Sequence, residues 1–237
     1  MTEKFLQELE KLTNELIDMA HLAQDMLDDS VRSLKDQNVD LAREVVCKKT
    51  ELAEMDVNIE QHAFRMIALY QPMAKDMRRV ACALKLITYL NRIGRYGKDI
   101  ANVTIEISNK PHVAKMVSLP HMSKMVRSMV DDAIEAYKSE DISRLDDFAD
   151  RDDDVDAMRH SIFRECLSYM MEDPSYIVRC THYVMIARYL ERCADHACKM
   201  AEKITYMKTG EHIEIEKKSE STPEYCPVRK QGGGLTI

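Results

Sequence analysis

Asp152 and Asp156, and further along Glu191 and Asp195, form two pairs of carboxylates set four residues apart. On a helix that spacing projects both members of a pair from one face. Two such pairs brought together repel one another by several kcal/mol unless a cation sits between them. Hard cations that take oxygen ligands, such as Mg, Mn, Fe or Ca, answer that need. Inward carboxylates on facing helices of a bundle are one way of building the site. His160 stands one turn beyond Asp156 and could add a nitrogen ligand. The plain alternative is an acidic face turned to water.

An internal repeat separates the two readings. Asp28-Asp29-Ser30-Val31-Arg32-Ser33-Leu34-Lys35 matches Asp131-Asp132-Ala133-Ile134-Glu135-Ala136-Tyr137-Lys138 at an offset of 103. Leu90-Asn91-Arg92-Ile93-Gly94-Arg95 matches Leu190-Glu191-Arg192-Cys193-Ala194-Asp195 at an offset of 100. The window 28–53 carries 6 acidic and 5 basic residues, whereas its counterpart 131–156 carries 12 acidic and only 3 basic. In the first copy, Lys49, Ala53, Asn91 and Arg95 stand where the second has Asp152, Asp156, Glu191 and Asp195. The acidity is therefore a property of the second copy alone, which favours a site over a general solubility charge.

The elements that must hold these residues are helices. With 6 Gly and 6 Pro in 237 residues, about 5% against about 12% in an average chain, few turns are available. Four Phe and no Trp disfavour sheets. Phe5, Leu9, Leu12, Leu16, Met19, Leu22 and Met26 recur at helical spacing. The pattern predicts helices ending near 35, then over 39–70 and 73–108, and in the second copy over 120–138, 140–172 and 175–208. Gln71-Pro72 and Asp173-Pro174 mark the breaks, because a proline disfavours helical backbone in the residue before it. The expected fold class is all-α, two tandem three-helix bundles spanning 1–110 and 111–210, with a polar, disordered C-terminal tail over 211–237.

Composition excludes other classes. A net charge of −7 disfavours nucleic acid as the main partner. Neither GxGxxG nor GxxxxGK[ST] occurs, so no glycine-rich loop cradles a phosphate, and no nucleophile elbow can be placed. No basic-then-apolar leader and no run approaching 18 apolar residues is present, so the chain is expected to be cytoplasmic, its seven cysteines reduced. Cys193 and Cys198 lie five apart, unlike a zinc or redox pair. Lys75, Arg78, Arg79, Lys85, Arg92, Arg95 and Lys98 make the third helix basic, either as a solvated face or as a docking face for an acidic partner or an anionic membrane surface.

Three stretches carry a resemblance. Ile67-Ala68-Leu69-Tyr70-Gln71-Pro72-Met73-Ala74-Lys75-Asp76-Met77-Arg78 resembles the QP-x-A-x-D-L-R junction of the PhoU-type phosphate-uptake regulators. Leu190-Glu191-Arg192-Cys193-Ala194-Asp195 resembles that family's L-E-R-I-G-D signature, and Tyr169-Met170-Met171-Glu172-Asp173-Pro174 its second junction. The similarity runs over about 5–212. It implies two three-helix bundles in tandem and metal clusters held by paired E/D-x-x-x-D motifs, one pair of motifs per repeat. Carried onto this chain, the second repeat supplies Asp152, Asp156, Glu191 and Asp195, with His160 as an additional ligand. The first repeat departs from the pattern, because Lys49 and Arg95 would repel a cation and Ala53 and Asn91 bring no charge. One divalent or trivalent metal cluster (Fe, Mn, Mg or Zn) is therefore expected. The resemblance further implies a non-enzymatic regulator of phosphate uptake and phosphate-starvation signalling, in contact with a phosphate ABC transporter ATPase and a sensor histidine kinase, with a homodimer left open. Two alternatives stand beside it: a metal-dependent phosphohydrolase using the same carboxylates, and a structural adaptor without metal.

Overall fold

The computed structural model describes residues 3–114 and 118–215. Over these residues the chain forms six α-helices and no strand: α1 (Glu3–Asp36), α2 (Val39–Tyr70), α3 (Lys75–Ile107), α4 (Ser118–Ser139), α5 (Phe148–Glu172) and α6 (Ile177–Thr209). Short 3₁₀ turns at Ser143–Leu145 and Pro174–Tyr176 lead into α5 and α6. Helices α1–α3 pack as one three-helix unit and α4–α6 as another; α3 lies against α6 and α1 against α4. The apolar stripe of α1 read from the sequence is the buried one, with Leu12, Leu16, Met19 and Met26 wholly inside. Gly97 on α3 lies so close to α1 that a Cβ there would stand 2.7 Å from the Met26 carbonyl oxygen.

Helix ends follow local chemistry in most places. Asn38 caps α2, its side-chain oxygen accepting from the Leu41 N–H at 3.0 Å. Gln71 closes α2 in the left-handed region at φ 47°, just before Pro72. Gly210 closes α6 at φ 80°. Two starts differ from the sequence expectation. Helix α3 begins at Lys75 rather than Met73, because Ala74 takes a left-handed φ of 47°. Helix α5 begins at Phe148 rather than near 140, because Glu140 sits at φ 58°. That uncommon backbone is held from afar: the Glu140 carboxylate meets Lys75 at 2.6 Å, Arg79 at 2.9 Å and Lys208 at 3.7 Å. The hydrogen bond from Lys75, together with the surrounding positive charge, holds its carboxyl below the usual value.

The two units are tied by buried polar contacts as well as by apolar packing. Arg179, at the start of α6, donates to the carbonyls of Ile107 and Lys110 at the end of α3, at 2.8 and 2.6 Å. These carbonyls are among those a helix end leaves unsatisfied. His112 bridges the Leu34 carbonyl of α1 and the Tyr183 hydroxyl of α6, at 2.9 and 2.7 Å. Residues 211–215 turn back along α6, with His212 stacked on Tyr206 at 4.0 Å and the Ile215 N–H donating to Glu202 at 3.1 Å. The rest of the expected disordered tail, 216–237, lies outside the described residues.

Candidate metal centre between α5 and α6

Helices α5 and α6 pack side by side, and each turns one carboxylate pair toward the seam. On α5, Asp152 is 2% exposed, Asp156 is half-buried, and Val155 beside them is wholly buried. On α6, Glu191 is 4% exposed and Asp195 half-buried, flanked by the buried Leu190, Cys193 and Ala194. The i,i+4 spacing delivers both pairs to the same seam, as the sequence requires. Asp153 joins them, its Oδ1 buried and accepting no hydrogen bond among the described residues. Carboxylates so deeply placed need counter-charge, since an uncompensated buried anion costs several kcal/mol.

Part of that counter-charge comes from arginines that the count of acids passes over. The Arg159 Nε of α5 lies 2.9 Å from Glu191 Oε2. The contact is close, but it is not aligned as a hydrogen bond. Arg188 Nη1 donates a very short hydrogen bond to the other oxygen, Oε1. Arg192 donates to Asp195 at 3.0 Å. Arg188 sits in the combined field of the cluster: its hydrogen bond to Glu191, then the charges of Glu191, Asp195 and Asp156, raise its pKa above the ordinary value against the opposing effect of burial. These partners were visible as spacing, because Arg188 and Arg192 stand three residues before Glu191 and Asp195.

The donor set fits a hard cation in chemistry: oxygen ligands, several of them buried, on two facing helices. Their arrangement gives Glu191 to the guanidiniums, and among the described residues no three His, Cys, Asp or Glu side chains are gathered around one ion position. His160 is exposed, its Nε2 accepting from Arg159 Nη2 at 3.0 Å. The four first-repeat counterparts lie differently. Lys49, Ala53 and Arg95 are exposed, and the half-buried Asn91 donates its amide to Asp56 at 2.6 Å. A neutral amide there answers one carboxylate, where the second repeat sets two arginines on Glu191.

Other candidates read from the sequence fall into structural roles. Cys193 and Cys198 are buried in the α6 packing face. On the basic third helix, Lys75 and Arg79 are engaged with Glu140, and Arg78 Nε donates to the Met207 carbonyl at 3.2 Å. Among the described residues no helix is long and apolar enough to cross a membrane.

Comparison with known proteins bears on the whole arrangement. The family model described as the PhoU domain matches twice, over residues 16–104 and 119–204. The phosphate-specific transport system accessory protein PhoU homolog of Aquifex aeolicus (strain VF5) is 36% identical over 220 residues, covering 92% of this chain and 100% of that protein. Its counterpart in Rhizobium meliloti (strain 1021) is 35% identical over 207 residues, 87% of each chain. The crystal structure of PhoU from Pseudomonas aeruginosa superposes with a TM-score of 0.82 at 31% identity, covering 87% of this chain and 100% of that one.

Proposed function

The chain belongs to the PhoU family, and on that premise we propose that it is a regulatory accessory protein of phosphate transport. It acts in the cytoplasm, by contact with a phosphate ABC transporter ATPase and a sensor histidine kinase, without turnover of its own. The observation that carries this reading is the double family match over both three-helix units, joined to near-complete coverage of relatives named as accessory proteins of phosphate transport. Exposed apolar side chains at the helix junctions of both units support action by protein contact: Leu69 and Met73 are 68% and 81% exposed, Met171 and Val178 80% and 68%.

The same proposal places a cluster of Fe, Mn, Mg or Zn at Asp152, Asp156, Glu191 and Asp195, in the second repeat only. The buried oxygen donors on facing helices support it. A bound cation there adds its binding free energy to the docking of α5 on α6. Purification of the tagged chain from cells grown in high and in low phosphate tests the partner reading. Co-purification of the transporter ATPase, changing with phosphate supply, is the expected result. No association in either condition, with phosphate uptake unchanged when the chain is deleted, would overturn it.

A further inference from the structure

Glu191 is the most constrained anion of the α5–α6 seam. It is 4% exposed, and each of its two oxygens already faces a guanidinium, one from each helix. An incoming cation that uses Glu191 must therefore take an oxygen from an arginine, because guanidinium and metal compete for the same lone pairs. The two arginines are not equal obstacles. Arg188 is bound to Oε1 by a short hydrogen bond, while Arg159 lies 2.9 Å from Oε2 without hydrogen-bond alignment. Oε2 is thus the oxygen held by charge alone. Arg159 also has somewhere to go: its side chain is 25% exposed and its Nη2 already reaches the exposed His160.

We infer that Arg159 is an internal counter-ion that competes with metal for Glu191, so that a hard cation enters the second-repeat carboxylates only in exchange for the Arg159–Glu191 bridge. The inference rests on the metal site proposed above. Its consequence is regulatory. Without a cation, α5 is tied to α6 by Arg159; with one, the carboxylates of both helices share the ion and the Arg159 charge turns to the surface. Metal binding is then weaker than the four carboxylates alone would give, and it changes the charge displayed outside the seam.

The test is Mn²⁺ binding by equilibrium dialysis to the full chain, to Arg159→Gln and to Arg159→Lys, with melting followed in parallel. Arg159→Gln is expected to bind Mn²⁺ about tenfold tighter than the natural chain, a change of about 1.4 kcal/mol. It is also expected to melt lower in the absence of Mn²⁺ and to gain more on its addition. Arg159→Lys, which keeps the charge, should bind close to the natural chain and shows that the helices still pack. Equal affinity in the natural chain and Arg159→Gln would overturn the exchange while leaving the metal site standing. No binding by any of the three chains would overturn the metal site, and the exchange with it.

Discussion

Replacing Gly97 by alanine tests how closely α3 must approach α1. A Cβ at 97 would stand 2.7 Å from the Met26 carbonyl oxygen, 2.8 Å from the Met26 carbonyl carbon and 2.9 Å from the Leu27 nitrogen. All three are backbone atoms of a helix, so no rotamer change relieves them. The helices must part locally, and overpacking of this kind costs about 1–3 kcal/mol. Alanine returns up to about 1 kcal/mol through its better helix propensity. The net expectation is a loss of about 1–2 kcal/mol, seen as a fall of about 2–6 °C in Tm for a domain of this size. Gly94 is the control on the same helix. A Cβ there meets Leu52 Cδ2 at 2.4 Å and Met26 Sδ at 3.3 Å, both ends of flexible side chains. Gly94→Ala should therefore lie within about 1 kcal/mol of the natural chain, with propensity offsetting a small repacking. Urea unfolding of the three chains, compared at equal m values, measures the difference. A Gly97→Ala chain as stable as the natural one, or a Gly94→Ala chain that loses as much, would refute the backbone-contact argument.

Two further outcomes follow from burial. Desolvation, with Arg92 adding to it, lowers the His196 pKa to about 4, between the rings of Tyr89 and Tyr96. Below the unfolded value of about 6.5 the unfolded chain then binds a proton that the folded chain refuses, so stability falls as pH drops from there toward 4. His196→Phe should flatten that fall between pH 7 and 5 in denaturant titrations, and an identical slope in both chains would count against it. Burial also pushes the Cys82 thiol up to about 12, and leaves Cys47 as the exposed cysteine among the described residues. In a Cys226→Ser chain at pH 8, one equivalent of iodoacetamide should react quickly, and it should be lost on Cys47→Ser; a second fast equivalent would contradict the packing.

The helices and their grouping were legible in the chain alone, because an apolar stripe at helical spacing and a proline or a capping asparagine act within a few residues of themselves. Leu12, Leu16 and Met19 are buried as their spacing requires, and α2 stops at Gln71-Pro72. The carboxylate pairs were legible for the same reason: four residues along a helix is a fixed geometry, and the repeat supplied a copy without them for contrast. Tertiary structure alone decided the rest. Helix α5 starts eight residues later than its periodicity suggests, because Glu140 is held in a left-handed turn by Lys75 on α3 and Lys208 on α6. Nothing near Gly97 in sequence shows that α1 passes within contact of it. Most of all, the sequence displays the charge of Glu191 but not its partners. Arg159 is 32 residues away along the chain, and only the side-by-side packing of α5 and α6 brings it within 2.9 Å. Which cation answers a buried anion is a question of distances across helices, and those exist only in the folded molecule.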